Sequence, residues 1–278
     1  MRLPLLSIVI ANYNYGRFLE DAIQSVIKQN MGDKIELIIC DAASNDNSVE
    51  VIRKYEEHIS WWCSEKDKGQ SDAFNKGFAH SKGRFLTWLN ADDILMPGAL
   101  KAFEAICEQN PACEWFSGSS LYVDRELRII KWFRCHRFSW LRAKYGYLMC
   151  GGPSSFFTKR VLDAVGGVDV GLHFLMDIDL WYKFVRKLGL RYVRMTDAIF
   201  AYRIHESSKM SGADVAQTDK NASNRVKAKI EFDLIKQRYN LPSTWIRRLA
   251  TVLSFSIIDK IVSIFITISR KGKKVQYE

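Results

Sequence analysis

Short apolar runs alternate with amphipathic stretches along the first third of the chain. Residues 7–10, Ser-Ile-Val-Ile, have the length and make-up of a buried strand, and Ala11-Asn-Tyr-Asn-Tyr-Gly16 follows as a loop of turn formers carrying two aromatics. Leu19, Ala22, Ile23, Val26 and Ile27 then recur at helical spacing. The plan continues with a strand at 35–40 that ends at Asp41. Ser44-Asn-Asp46 makes a turn and helix cap ahead of Val49, Ile52 and Tyr55. A strand at 59–63, a turn into a helix at 69–77, and a strand opening at Phe85 after Gly83 complete the series. Four strand–helix alternations in about 90 residues predict a doubly wound, Rossmann-like nucleotide-binding half of an α/β protein.

The pattern then becomes less regular. Residues 97–109 predict a helix, and 114–123 with 127–133 predict a hairpin turning at Asp124-Arg-Glu126. The stretch 132–149 interleaves Phe133, Arg134, His136, Arg137, Trp140, Arg142, Tyr145 and Tyr147. That mixture suits contact with sugar, base, phosphate or a membrane surface, and equally a surface helix with arginine stems lying along it. Gly151-Gly-Pro153 breaks the chain before a strand at 154–158. Phe174-Leu-Met-Asp-Ile-Asp-Leu-Trp181 leads into an apolar helix through Phe184 and Leu188, with Asp177 at its start. A carboxylate there is stabilised by the helix dipole, either as a cap or as a base presented to a cleft. A last strand at 198–202 is followed by Arg203 and His205.

Composition narrows the classes. The 278 residues carry a formal charge of +10, and six cysteines form no C-x-x-C pair or other zinc spacing. They read as buried free thiols of a reducing compartment, and the N-terminus passes straight into a strand with no signal peptide expected. From residue 240 onward, seven Lys/Arg stand against two Asp/Glu, which points to a polyanionic partner. No nucleic-acid motif accompanies that charge. Within this tail, 249–269 is nearly all apolar or small, flanked by Arg247, Arg248, Arg270, Lys271, Lys273 and Lys274, with Asp259 and Lys260 at its centre. Those central charges argue against a simple membrane span. Ser256, Asp259, Lys260, Ser263 and Thr267 share one helical stripe. An amphipathic interfacial helix on an anionic membrane is expected for 247–274, and the competing reading packs the helix on protein.

Candidate chemistry gathers where strands end. Phe85-Leu-Thr-Trp-Leu-Asn-Ala-Asp-Asp93 delivers Asn90, Asp92 and Asp93 to the C-terminal edge of a buried strand. Adjacent carboxylates there call for a neutralising divalent cation, although Asn and Asp also favour plain turns. Asp41 ends the second strand, placed either to bond a base or ribose or to cap the following turn. G-x-G-x-x-G and Walker loops are absent, and no nucleophile–base arrangement favours a covalent route.

Taken together, Ser7-Ile-Val-Ile-Ala-Asn-Tyr-Asn14, Asp41-Ala-Ala-Ser-Asn-Asp46, Asp67-Lys-Gly-Gln-Ser-Asp-Ala-Phe-Asn-Lys-Gly77, Leu89-Asn-Ala-Asp-Asp93 and Asp177-Ile-Asp-Leu-Trp181 resemble family 2 glycosyltransferases in order and spacing. The resemblance runs over residues 5–205 and implies a GT-A fold with a mixed central sheet and inverting transfer from a nucleotide-diphosphate sugar. By it, Asp92 holds Mg²⁺ or Mn²⁺, His205 reaches metal or diphosphate, and Asp177 is the general base. Ala11, Asn12, Tyr13, Asp41, Lys68, Asp72, Asn90, Ala91 and Asp93 contact the nucleotide-sugar, with Asn12 and Tyr13 against the base and Asp41 and Asp72 on uracil or ribose. The first Asp of the family's D-x-D is Asn90 here, and the Glu that usually precedes the base is Met176. Those two departures keep a nucleotide-sugar-binding scaffold without turnover as the alternative. The expected organisation is a 1–212 catalytic domain, with a donor half at 1–95 and an acceptor half at 96–212, followed by a helical region at 213–278. A UDP-sugar donor, a glycan or lipid-linked acceptor in cell-surface polysaccharide assembly, no nucleic acid, and a peripheral place at the cytoplasmic face of the membrane complete the expectations.

Overall fold

The computed structural model describes residues 3–145, 150–206, 208, 219–242 and 257–276. The first third folds as β1 (Leu6–Asn12), α1 (Gly16–Ile27), β2 (Ile35–Asp41), α2 (Ser48–Lys54), β3 (Trp61–Ser64), α3 (Gln70–His80) and β4 (Phe85–Asn90). The remainder adds β5 (Ile94–Leu95), α4 (Ala99–Gln109), β6 (Trp115–Val123), β7 (Ile129–Phe133), α5 (Trp140–Tyr145) and β8 (Ser155–Thr158). After these come α6 (Lys159–Val165), α7 (Met176–Leu188), β9 (Val193–Arg203), α8 (Asp219–Arg238) and α9 (Ile257–Arg270).

The strands form one mixed sheet in the order β3-β2-β1-β4-β8-β6-β9-β5, with β7 paired to β6. β3, β2, β1 and β4 run parallel, and β8 pairs antiparallel with β4. Period-two alternation splits the core between the two faces. Ile8, Ile10, Leu37, Ile39 and Leu89 pack with α1, α2 and α4, whereas Val9, Ile38, Leu86 and Trp88 pack with α3, α6 and α7. On the second face Trp88 stacks on Trp181 at 5.9 Å and Trp181 on Trp115 at 5.1 Å, so β4, α7 and β6 share one aromatic column.

Several element bounds differ from the sequence pattern. β3 begins at Trp61 because residues 56–58 tighten into a 3₁₀ turn, in which the Ile59 amide donates to the Glu56 carbonyl at 3.1 Å. Ile59 fills the core from that turn rather than from the strand. β9 begins at Val193, five residues before the apolar run, because β6 already pairs with Val193 and Arg194 and resumes at Ala198 across a register shift. The 132–149 stretch is no continuous surface helix. Trp132 and Phe133 close β7, His136 and Arg142 are buried, and α5 takes only Trp140–Tyr145. Residues 146–149, with Tyr147, lie outside the described residues.

The predicted tail helix appears as α9, although 249–256, including Ser256, lie outside the described residues. It rests on β7 through Ile266, beside a cluster containing Ile94, Leu121, Ile129 and Val275. The Trp132 amide donates to Thr267 Oγ1 at 3.4 Å, and the Arg270 guanidinium lies 5.0 Å over the Trp132 ring. Ile264, Phe265 and Ile268 stay exposed. Among the described residues no helix is long and apolar enough to cross a membrane.

Candidate active site

Parallel register brings the ends of the first strands to one edge. Asp41 pairs with Ser64 on one side and with Asn12 on the other, and Ala11 pairs with Asn90. β1 lies between β2 and β4, the switch point at which open α/β sheets bind ligands. Asp41 is fully enclosed there. Its Oδ1 accepts from Asn12 Nδ2 at 2.7 Å and Ser44 Oγ at 2.5 Å, and its Oδ2 from the Ser44 amide at 3.0 Å and Ser64 Oγ at 2.5 Å. Asp41 therefore knits β1, β2 and β3 together. Asn12 Oδ1 is buried with no partner among the described residues, and the Tyr13 ring beside it is exposed. Farther along the edge, Asp72 Oδ2 in the first turn of α3 accepts the amide of exposed Lys68 at 3.1 Å. Gly69 caps that helix at φ 112°, left-handed backbone that glycine adopts without strain.

Antiparallel pairing of β5 with β9 folds the end of β9 back over the end of β4. His205 Nε2 stands 3.1 Å from Asp92 Oδ2, and the His205 ring packs 4.5 Å from Phe18 and 5.7 Å from Tyr15. Asp93 has no exposed surface. Its Oδ1 accepts the Arg203 amide at 2.9 Å and its Oδ2 accepts Asn90 Nδ2 at 2.7 Å, while Asn90 Oδ1 accepts from Gln70 Nε2 at 2.8 Å. Burial, and then the Asp92 charge, push the Asp93 carboxyl well above the usual carboxylate range, against the pull of its Arg203 and Asn90 hydrogen bonds. Asn90 thus has a physical reason to be an amide, since a carboxylate in its place would face that of Asp93 across a hydrogen-bond distance. A divalent cation fits these donors. Positive charge beside Asp92 would relieve the repulsion that Asp93 feels; carboxylate oxygen suits Mg²⁺ or Mn²⁺, while the His205 imidazole is a ligand for Mn²⁺ rather than Mg²⁺. No cluster of three or more His, Cys, Asp or Glu forms among the described residues, so the remaining coordination would fall to diphosphate and water.

Asp177 occupies the first turn of α7, half-buried. Its Oδ1 accepts the Ile178 amide at 2.8 Å. Burial raises its pKa from 3.8 to about 6, opposed by backbone hydrogen bonds that include one from Gly152. Gly152 must be glycine, because a Cβ there would meet Trp88 at 2.5 Å. The phenol of Tyr122 on β6 is raised chiefly by burial and then by the charges of Asp93 and Asp177.

The structure brings together Asp92, Asp93, Asn90 and His205, and separately Asn12 with Asp41; Ala91 is buried within the first group. Lys68 and Asp72 meet each other farther along the edge. Met176, where the family's Glu is expected, is buried and receives the Ser71 hydroxyl at 3.0 Å, so it belongs to the packing beneath Asp177. Sequence reasoning missed Gln70, Tyr122, Ser44 and Ser64. Ser44 and Gln70 lie inside the quoted motifs, where their bonding could be suspected; Tyr122 and Ser64 carry no local signal.

Comparison with known proteins identifies the fold and the family. The fold is GT-A-like. Residues 1–349 of S. aureus TarS, solved in complex with UDP-GlcNAc, superpose with a TM-score of 0.61 at 15% identity, covering 96% of this chain and 81% of that one. The mannosyltransferase PcManGT from Pyrobaculum calidifontis, solved with GDP-Man and Mn²⁺, superposes at 0.58 and 15% identity, covering 97% and 81%. The chain belongs to glycosyl transferase family 2, whose model matches residues 7–166, more than half of it. An uncharacterized glycosyltransferase of Nostoc sp. is 40% identical over 99 residues, which is 34% of this chain and 30% of the relative. One from Methanocaldococcus jannaschii is 24% identical over 208 residues, 72% of this chain and 71% of that one. Chondroitin synthase of Escherichia coli is 26% identical over 189 residues, 66% of this chain and 26% of the synthase. The chain therefore spans under a third of the Nostoc relative and of the synthase.

Proposed function

We propose that the protein is an inverting glycosyltransferase that moves a sugar from a nucleotide-diphosphate sugar, a UDP-sugar in first choice, to a hydroxyl of a glycan or lipid-linked acceptor. The observations that support this reading are two unlike acidic groups: Asp92, just after the end of β4 and 3.1 Å from His205, and Asp177, in the first turn of α7 with its pKa raised to about 6. A carboxylate of that pKa accepts a hydroxyl proton at neutral pH while remaining basic enough to assist. Asp177 takes the acceptor proton as the acceptor oxygen attacks the anomeric carbon from the side opposite the diphosphate. Asp92, with His205 in the case of Mn²⁺, would hold Mn²⁺ or Mg²⁺, which when bound supplies positive charge for the departing diphosphate. Asn12 offers its unpartnered carbonyl to the nucleotide base, with the exposed Tyr13 ring alongside, while Lys68 and Asp72 lie farther along the donor edge.

The acceptor belongs to cell-surface polysaccharide assembly in this reading. The exposed Ile264, Phe265 and Ile268 of α9, beside Arg270, Lys271, Lys273 and Lys274, support peripheral docking on the anionic cytoplasmic face of a membrane. The test is nucleoside diphosphate release from a panel of UDP-, GDP- and dTDP-sugars with membrane extract as acceptor, run with Mn²⁺ and with EDTA. Metal-dependent release from one donor, lost in Asp177→Asn while donor binding persists, is expected. Donors that bind without turnover in any extract would support a binding scaffold instead.

A further inference from the structure

The first turn of α7 carries Asp177 and has no cap of its own. Leu175 stands at the cap position, and no side chain there accepts a hydrogen bond. The chain supplies the missing acceptor from far away. Glu231 of α8 is buried, and its Oε1 accepts the His173 amide at 2.8 Å while its Oε2 accepts the amides of Phe174 at 2.8 Å and Leu175 at 2.9 Å. Three successive N–H groups of the segment entering α7, the last of them at the cap position, are thus satisfied by one carboxylate, whose charge also matches the positive end of α7.

α8 holds the same turn at a second point. Arg238 Nη1 donates to Asp179 Oδ1 at 2.7 Å and to Asp169 Oδ2 at 2.7 Å, and Tyr239 donates its hydroxyl to Asp179 Oδ1 at 2.9 Å. The Tyr239 ring stacks on Tyr182 at 5.0 Å. Asp177 lies between the two grips, 173–175 before it and Asp179 after it. Both α7 and α8 lie beyond residues 7–166, so the family match does not cover this bracing.

We propose that Glu231 is a positioning residue for sugar transfer: by capping α7 from α8 it fixes where the Asp177 carboxylate stands relative to the acceptor hydroxyl. The proposal rests on the reading of Asp177 as the base. A base displaced by about 1 Å loses on the order of a hundredfold in rate without any change in donor contacts.

The test compares Glu231→Gln, Glu231→Ala and Asp177→Asn, using whichever sugar nucleotide of the UDP-, GDP- and dTDP-sugar panel the wild type turns over. Glu231→Gln is expected to lower kcat about 10- to 100-fold with donor KM unchanged, and Glu231→Ala to lower it further, because the glutamine oxygen still accepts part of the cap. On the Asp177→Asn background, Glu231→Gln is expected to cost nothing more. Two further results overturn the proposal: wild-type kcat in Glu231→Gln with only a lowered Tm, or an equal additional loss on the Asp177→Asn background. If Asp177→Asn itself keeps full activity, the base assignment fails first, and the result is separate from that of Glu231. Amide exchange followed by mass spectrometry needs no turnover. Peptides spanning 173–179 are expected to exchange faster in Glu231→Gln while those of β4 do not change, and unchanged exchange at 173–179 also overturns the proposal.

Discussion

Asp92 and Asp177 are held in place by different kinds of structure. Around Asp92 the supports lie at the sheet edge or in the turns and helix start that follow its strands. Asp93 is held by the Arg203 amide and Asn90, Asn90 by Gln70, and Asp41 by Asn12, Ser44 and Ser64. Asn12, Ser64, Asn90 and Arg203 sit at the ends of strands already fixed by ladder hydrogen bonds, so the carboxylates they hold inherit the rigidity of the sheet. Asp177, the proposed base, rides on a helix start held by a separate helix about 60 residues farther along the chain, through Glu231 and Arg238. One edge is built into the sheet, and the other is docked onto it. Chemistry of the metal side is therefore expected to be robust to changes elsewhere, and chemistry of the base to depend on how α8 sits.

Substitutions can break that contrast directly. Asp177→Asn keeps the shape and loses the proton acceptor, so transfer is expected to fall about 10³-fold with donor affinity intact, measured by nucleoside diphosphate release beside donor titration. Asp92→Asn is expected to do the reverse, weakening metal-dependent donor binding about 10- to 100-fold, which isothermal titration with and without Mn²⁺ resolves. Asp179→Asn strikes the docked edge. The buried carboxylate joins Lys183 at 3.2 Å and Arg238, and its loss is expected to cost about 2–3 kcal/mol in denaturant unfolding, because Arg238 remains partly solvated.

A pH prediction sharpens the contrast further. The Asp177 pKa is raised from 3.8 to about 6 in the folded chain, so the protonated form is favoured by folding. The stability it contributes is complete below pH 3.8 and is lost as pH rises through about 6. Asp177→Asn is accordingly expected to be more stable than wild type by about 1–2 kcal/mol at pH 8, allowing for partial exposure, and equal to it below pH 4. Transfer by the wild type is expected to fall about tenfold per pH unit on the acid side of that pKa. The smallest effect on chemistry is expected from Phe265→Glu on α9. It should reduce co-sedimentation with anionic vesicles while leaving turnover of a soluble acceptor unchanged, and unchanged co-sedimentation would remove the membrane from the reading.

Much of the donor edge was legible in the sequence because its signals are local. An apolar run ending in Asn90 and Asp92 needs only the period-two pattern to be placed at a strand end, and the alternation of the first third predicted the parallel order around it. Asp177 was legible as a helix start by the same local logic. The parts that stayed hidden depend on distance in sequence. Nothing near Glu231 distinguishes it from the other charged residues of α8, and its role exists only once Leu175 is found without a cap. The polar Arg194, Thr196 and Asp197 concealed the first half of β9, since β6 rather than hydrophobicity holds it in the sheet. The 132–149 stretch failed for a related reason: His136 and Arg142 are buried where composition places them on a surface.

The aromatic column through Trp88, Trp181 and Trp115 has an optical consequence. Indole rings stacked at such separations share their excitation, so the three chromophores absorb as a coupled set and contribute a paired signal of opposite sign to the far-ultraviolet circular dichroism. Trp88 belongs to the strand that ends at Asn90, ahead of Asp92, and Trp181 lies one helical turn after Asp177. The chain thus contains its own spectroscopic ruler between the donor strand and the base helix, and a small slip of α7 would register as a change in the shape of that signal before any label is attached.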